Sequence, residues 1–277
     1  MSRTVEEIRK LCLMDDLFMS ECLKDIPCVE LVLSIILGHP VSVEKVQTQE
    51  VFRSWGRSVR LDVLGSDRIE TPKDRYDLEV QRKDDGAGIR RARFHISIMD
   101  TNSLKPGQDF EELGDNYVIF ITENDVLKRG LPLYTIERVI KETGERIDDG
   151  SHIIYVNGAM RDKDTPLGKL MHDFFCIEPD DMCYSVLADR ARYFKEDERG
   201  INEMGSLYER LLSQGEAKGR QEGRREGRQE GRQEGRSEGL SQGRRETWDA
   251  AAAFMKENGI PVELISKFKN SLTESWA

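Results

Sequence analysis

Two short segments of the sequence carry acidic side chains in the alternating pattern of β-strands. Asp62 lies in the segment 59–63, and Glu79 and Gln81 lie in the segment 76–81. Residues two apart share one face of a strand, so the polar side chains of each segment project together, away from their apolar neighbours. If the two strands pair in antiparallel orientation, the acids can converge.

Two carboxylates on adjacent strands suit a hard divalent cation such as Mg²⁺, which takes its remaining ligands from water and phosphate. Such a cation polarises a phosphodiester and lowers the pKa of an attacking water. We therefore predict Asp62 and Glu79 as metal ligands. Gln81 would orient the water or contact the phosphate, but it cannot supply the positive charge of a lysine. Acids on the outer face of half-buried strands are also common in ordinary sheets, so spacing alone does not establish a site.

The surrounding elements predict an α/β or α+β domain over about 1–200, because strands interleave with helices. Residues 5–38 indicate two helices separated at Pro27. The segments 59–63 and 76–81 indicate an antiparallel pair with a long, turn-rich connection. Further strands are predicted at 116–122, 131–136 and 152–156, and further helices at 88–102, 166–176 and 185–197.

The surroundings of the acidic segments resemble a known family. The segments RLDVLGSD, YDLEVQRK, RRARFHISIMD and GLPLYTIERV closely resemble the Rpn family of recombination-promoting nucleases and transposases, which belongs to the PD-(D/E)xK nuclease superfamily. The similarity runs from about Asp16 to Gln214. It implies a restriction-endonuclease-like core with a mixed central sheet flanked by helices. It also implies a Mg²⁺-dependent endodeoxyribonuclease, with Mn²⁺ as a substitute cation, that promotes recombination or transposition.

The resemblance assigns roles to individual residues. Asp62 takes the place of the first acid of the superfamily, Glu79 the second, and Gln81 the position usually drawn as lysine. The E-x-Q form is common in the family, so Gln81 does not by itself imply an inactive enzyme. Val80 would offer its backbone carbonyl to the metal.

The resemblance leaves two features open. The superfamily core often includes an acid from an early helix, for which Asp16 and Glu30 are both candidates. The helix that carries Arg90, Arg91 and Arg93 corresponds to a basic stretch of the family. These arginines either clamp a DNA phosphate or form a solvated helix face. His95 follows them, and we predict a packing or hydrogen-bonding role for it.

A repeat with glycine at every fourth position occupies residues 215–243. Each glycine costs a helix about 1 kcal/mol against alanine, and like charges recur four residues apart, so a lone stable helix is doubtful. We predict a linker over 205–245, helical or disordered, that either associates with itself to form a homo-oligomer or tracks nucleic acid. The nuclease-like domain would cover 1–204, and two short helices broken at 259–261 would form the tail 246–277.

Composition limits the partners. The formal net charge of −10 argues against holding nucleic acid by bulk electrostatics, because phosphate binding needs clustered Lys and Arg. The stretch 220–245, with eight arginines and five glutamates, is the one obviously basic region. No uninterrupted apolar run is long enough to span a bilayer, and the N-terminus is unlike a signal peptide. We therefore expect a cytoplasmic protein without membrane partners.

Cysteine and histidine spacing predicts no metal site of the zinc type. The five cysteines are odd in number and contain no CxxC pair, which indicates buried free thiols. The four histidines show no HxH or HExxH spacing.

Three functions remain in competition at this point. The first is a metal-dependent DNA endonuclease that uses Asp62, Glu79 and Gln81. The second is a catalytically inactive module that binds DNA or associates with itself through the repeat. The third is a nuclease directed at RNA, since no residue here recognisably reads a base or a 2′-hydroxyl.

Overall fold

The computed structural model describes residues 3–52, 59–67, 74–82 and 86–275. Its helices are α1 Arg3–Lys10, α2 Asp16–Cys22, α3 Ile26–Leu37, α4 Ile89–Thr101, α5 Pro166–Phe175, α6 Ser185–Glu196, α7 Glu198–Glu257 and α8 Val262–Ser275. Its strands are β1 Val43–Phe52, β2 Val59–Asp67, β3 Arg75–Gln81, β4 Asn116–Thr122, β5 Leu133–Ile136, β6 Arg138–Val139, β7 Arg146–Ile147 and β8 Ser151–Asn157. None of the described helices is long and apolar enough to cross a membrane.

The N-terminal region forms three helices where two were predicted. Pro27 lies in the first turn of α3. Backbone N–H groups in the first turn make no hydrogen bond inside the helix, so a proline there costs none and can start the helix. The additional break lies between α1 and α2, where the Asp15 carboxylate accepts a hydrogen bond of 2.8 Å from the backbone N–H of Cys12. This local hydrogen bond takes the place of a helical one at Cys12, which explains why α1 ends before α2 begins.

Six strands form one mixed sheet in the order β1-β2-β3-β4-β8-β5. The central strands β3, β4 and β8 are parallel, and the other pairings are antiparallel. The predicted antiparallel pairing of β2 with β3 is confirmed, with Val63 opposite Leu78. The sequence analysis missed β1, in which apolar residues are sparse and an irregularity between Val43 and Lys45 shifts the register.

Helices cover both faces of this sheet, so the predicted mixed sheet flanked by helices is confirmed. The larger core includes Leu78 and Val80 of β3 and packs the sheet against α2, α3, α5 and α6. The smaller core includes Phe120 and Tyr155 and packs the opposite face against α4. The helix α4 joins the parallel strands β3 and β4, which explains why it lies on their face.

The GLPLY segment, residues 130–134, ends a loop and enters β5, and this loop is held by Asp125 at its start. The Asp125 carboxylate accepts hydrogen bonds from the backbone N–H groups of Lys128 (2.9 Å) and Gly130 (2.7 Å) and from the Tyr134 hydroxyl (2.8 Å). Gly130 has φ of 70°, which glycine adopts without the steric cost of a side chain. Desolvation acts to raise the pKa of Asp125, but these hydrogen bonds together outweigh it and hold the pKa below its usual value. The segment thus has a structural role in positioning β5.

The chain divides into two compact units, Met1–Glu209 and Arg210–Ala277. The repeat 215–243 lies inside the helix α7. The predicted break before α8 is confirmed at 258–261, but the first of the two predicted short tail helices is wrong, because residues 246–257 are the end of α7. Of the two conformations predicted for the repeat, helical or disordered, the structure has the helical one. A Cβ added at any repeat glycine, from Gly215 to Gly243, meets no atom of the described residues within 4 Å. Packing inside this chain therefore does not demand these glycines.

Candidate metal centre

The predicted site residues of β3, Glu79 and Gln81, lie toward its carboxyl end, where β2 is no longer paired with β3. Among the described residues, the β2–β3 ladder ends at Val63 and Leu78, whereas β3 stays paired with β4 up to Gln81 opposite Thr122. The carboxyl ends of parallel strands are the usual place for ligand sites in open α/β sheets. The sheet therefore opens beside Glu79 on the side from which Asp62 was predicted to act.

Both carboxylates on this face of β3 are buried. Asp77 and Glu79 are 0% exposed, which differs from the solvated outer face that alternation alone suggests. The physical reason is α4, which covers this face and supplies polar partners. Burying a carboxylate is costly unless it is paired and hydrogen-bonded, so these partners are required for the strand to fold this way.

Arg91 of α4 is the principal partner of Glu79. Its Nη2 donates to Glu79 Oε2 at 2.6 Å, and its Nη1 donates to the backbone carbonyl of Gly86 at 2.7 Å. Its guanidinium also lies 5.6 Å from the centre of the Phe120 ring. The side chain of Arg91 is 38% exposed, so it reaches from the surface to a buried carboxylate.

His95, one turn after Arg91 on α4, is the principal partner of Asp77. Its Nε2 accepts a hydrogen bond of 3.3 Å from Arg91 Nε. The proton of the neutral ring is therefore on Nδ1, which donates to Asp77 Oδ2 at 2.8 Å; this tautomer is assigned from the network. The predicted hydrogen-bonding role of His95 is confirmed.

Gln81 and Tyr155 complete this region of the sheet. Gln81 is half-buried, and its side-chain oxygen would lie 2.0 Å from a Cβ placed on Gly86, so the backbone of Gly86 approaches it closely. Tyr155 stacks on Phe120 with ring centres 5.4 Å apart. The Tyr155 hydroxyl is buried and has no hydrogen-bond partner among the described residues. Burial raises its pKa to about 12, partly opposed by the charge of Arg91.

The remaining predicted acids are placed less completely. The backbone of Asp62 belongs to β2, next to Val63, but its side chain lies outside the described part of the structure. Asp15, the neighbour of Asp16, pairs with Arg82 at 3.1 Å, so the start of α2 lies beside the end of β3. Glu30 instead accepts a hydrogen bond of 2.9 Å from the backbone N–H of Val43. Of the two early acids, the segment that carries Asp16 is thus the one near Gln81.

The three arginines predicted to bind DNA have different surroundings. Arg90 and Arg93 are exposed, whereas Arg91 is turned inward to the carboxylates. Sequence spacing could not separate them, because all three lie within one turn of α4. The two exposed arginines fit a contact with phosphate, and Arg91 belongs to the acidic centre itself.

The donor atoms present fit a divalent cation. Asp77, Glu79 and His95 each offer one ligand atom, and these atoms lie within 4.8 Å of one another. The carboxylates suit Mg²⁺, and an imidazole additionally suits Mn²⁺-type ions. Asp77 and His95 were not predicted as ligands, although Asp77 lies two residues before Glu79 in the segment 76–81 and so shares its face of the strand. Ligation by His95 Nδ1 requires its proton to move to Nε2, and that requires Arg91 Nε to leave.

Comparisons with known proteins add no assignment. No protein-family model matches the chain, and no match was found among curated proteins or solved structures.

Proposed function

We propose that this protein is a metal-dependent endonuclease that hydrolyses DNA phosphodiester bonds, with a PD-(D/E)xK-type centre at the end of β3. The observation that carries the proposal is the pair of fully buried carboxylates, Asp77 and Glu79, beside the point where β2 and β3 part. A charge-rich network in a protein interior is costly to maintain, and such networks concentrate at functional sites. Recombination or transposition would be the process served.

In the proposed hydrolysis, some residues would hold the cation and another would orient the attacking water. A bound Mg²⁺ or Mn²⁺ ion would supply Lewis-acid polarisation of the phosphate and a more acidic water. Asp62 and Glu79 would hold that ion, with the Val80 carbonyl as a further ligand. Gln81 would orient the attacking water through its amide.

Arg91 supplies the positive charge that Gln81 lacks. In the described state its guanidinium neutralises Glu79 over 2.6 Å. The Arg91 guanidinium is partly exposed, so with a cation held at Glu79 it would be free to turn to a phosphate oxygen. Arginine is well suited to this exchange, because its planar fork binds carboxylate and phosphate alike.

DNA would approach over the outer surface of α4. Arg90 and Arg93 are exposed there and contact phosphates without reading sequence. The net charge of −10 makes such binding weak and strongly dependent on salt, because few phosphates are neutralised. Cleavage assays therefore need low ionic strength.

The test of this function is plasmid nicking by the full chain in MgCl₂, with Asp62→Asn as the key variant. We expect the variant to cut at least about 100-fold more slowly, because a metal ligand loses its charge. Asp164→Asn, an exposed acid outside β2, β3 and α4, is the matched control and should cut like the wild type. Equal cutting by wild type and Asp62→Asn would contradict the assignment of Asp62 and point to a contaminating nuclease.

One observation favours a second function, a catalytically inactive module that binds DNA. Glu79 is 0% exposed and already occupied by Arg91, which is also what a site without a cation would need for stability. Under this alternative, the wild type would shift DNA in a binding assay and cut neither DNA nor RNA with Mg²⁺ or Mn²⁺. Cutting of RNA alone would support the RNA-directed enzyme instead.

Self-association through the repeat is a separate proposal. The repeat glycines leave open space along α7, and small residues allow two helices to approach closely. We expect light scattering of the full chain to give the mass of an oligomer, and the mass of a monomer after deletion of 215–245. A monomeric full chain at the concentrations of the assay would contradict this proposal.

A further inference from the structure

A second cluster of donor atoms lies away from the β3 centre, at the end of α5. His172 and Asp173 occupy the last turn of α5, and Cys183 lies ten residues later in the connection to α6. The Nδ1 of His172 is 3.1 Å from Asp173 Oδ1 and 3.8 Å from Cys183 Sγ. All three donor atoms lie within 4.8 Å of one another. The prediction of buried thiols is confirmed for Cys12, Cys22 and Cys28, whereas Cys176 is only partly buried and the prediction is wrong for Cys183, which is exposed.

We propose that His172, Asp173 and Cys183 form a binding site for a zinc-type transition-metal ion. A tetrahedral Zn²⁺ with bonds of about 2.0 Å to nitrogen and oxygen and about 2.3 Å to sulfur separates neighbouring ligands by roughly 3.3–3.6 Å. The two separations of 3.1 and 3.8 Å lie within a few tenths of an ångström of that range. The donor set of thiolate, imidazole and carboxylate selects such an ion over Mg²⁺.

The donor atoms of this cluster converge on His172 Nδ1. The same nitrogen, His172 Nδ1, faces both the Asp173 carboxylate and the Cys183 sulfur. A single proton on Nδ1 can serve only one of them, and a hydrogen bond to sulfur at 3.8 Å is weak. One divalent cation between the three atoms satisfies all of them. It also balances the charges of one carboxylate and one thiolate.

The backbone holds the three ligands in place before any ion binds. Asp173 is 0% exposed, and its two oxygens accept hydrogen bonds from the backbone N–H groups of Cys183 (2.7 Å) and Tyr184 (2.8 Å). These bonds fix the connection between α5 and α6 against the end of α5, which lowers the entropic cost of binding. Cys183 is exposed and His172 is 22% exposed, so the ion and a water as fourth ligand can enter from solvent.

The spacing of these three ligands along the chain explains why the sequence predicted no zinc site. Familiar zinc motifs place ligands in pairs two to four residues apart. Here the ligands are two adjacent residues and a third ten residues on, and the turn at Pro179–Asp181 brings the third one back. The proposed ion would tie this connection to α5. The proposed zinc-type site is separate from the nuclease proposal and shares no residue with it.

The test is a titration of the metal-free full chain with Co²⁺, in excess Mg²⁺ so that sites of carboxylate oxygens are filled. We expect a thiolate-to-cobalt charge-transfer absorption that saturates at one equivalent and disappears when Zn²⁺ is added. Only a sulfur ligand gives this absorption, so the β3 centre cannot produce it. Zn²⁺ should also raise the melting temperature, because it binds the folded chain.

Two variants and a matched control decide the outcome. Cys183→Ser should abolish the absorption, and His172→Asn should weaken binding at least about 100-fold, since even outer-shell partners contribute 10–100-fold. Cys176→Ser changes the other cysteine of the same connection and should bind like the wild type. Far-UV circular dichroism of the metal-free proteins verifies that each variant is folded. No absorption in the wild type, or an equal absorption in Cys183→Ser, would overturn the site.

Discussion

Replacing Glu79 by glutamine is expected to slow magnesium-dependent DNA cleavage by about 1000-fold, which corresponds to ~4 kcal/mol of lost transition-state stabilisation. The amide keeps the shape of the side chain and can still accept the hydrogen bond from Arg91. It removes the negative charge that would hold the cation. Because Glu79 lies on β3 with 0% exposure, no neighbouring water can replace it as a ligand without rearrangement. The measurement is the initial rate of plasmid nicking over a range of MgCl₂ concentrations.

The metal dependence separates the roles of Glu79. If Glu79 is a ligand, excess Mg²⁺ or Mn²⁺ should partly restore the rate of Glu79→Gln, because a weakened site fills at higher concentration. Glu111→Gln, an exposed glutamate on the loop before β4, is the matched control and should not change the rate. A Glu79→Gln protein that cuts at the wild-type rate would exclude Glu79 from the reaction.

Replacing Arg91 by alanine is expected to destabilise the fold by about 2–3 kcal/mol. Removing one partner of a buried ion pair costs roughly 3–5 kcal/mol, and we discount this value because the Arg91 side chain is 38% exposed and screened by solvent. The variant leaves Glu79 without its guanidinium and removes the bond to the Gly86 carbonyl. Urea unfolding measured by circular dichroism gives the change directly.

A double-mutant cycle identifies the cause of that loss. The double variant Arg91→Ala, Glu79→Gln no longer has the buried charge of Glu79. It should therefore recover part of the stability lost by Arg91→Ala alone. We expect a coupling energy of about 1–3 kcal/mol, typical of residues in one network. Arg90→Ala and Arg93→Ala alter the exposed neighbours on α4 and should stay within about 0.5 kcal/mol of the wild type. Additive effects in the cycle would show that Arg91 and Glu79 do not stabilise each other.

Arg91 also links the stability of the centre to its chemistry. In the described state it contacts both Glu79 Oε2 and His95 Nε2, so it holds the carboxylate and fixes the histidine tautomer together. In the proposed reaction, a cation held at Glu79 would displace this side chain from the carboxylate. Under the proposed function, the residue that pairs with Glu79 in this structure is therefore also the one that would become available to a phosphate once a metal was bound.

The sequence by itself determined the pattern of the strands and much of the layer structure. Alternation placed Glu79 and Gln81 on one face of β3 and the apolar residues, such as Leu78, on the other, and the structure confirms this division. Apolar periodicity located α4, α5, α6 and β4 to within a few residues. These features follow from local geometry, since residues two apart on a strand and three or four apart on a helix share a face.

Only the tertiary structure decided what each face meets. Alternation alone suggested solvent beside Glu79, and the structure places α4 there, because the crossover between the parallel strands β3 and β4 must pack on the sheet. Because of that packing, Arg91 is the one of the three neighbouring arginines that contacts Glu79, and His95 contacts Asp77 beside it. It also joined His172 and Asp173 to Cys183 across a turn. Contacts between distant segments depend on how helices and strands pack against one another. The spacing of residues along the chain does not determine that packing.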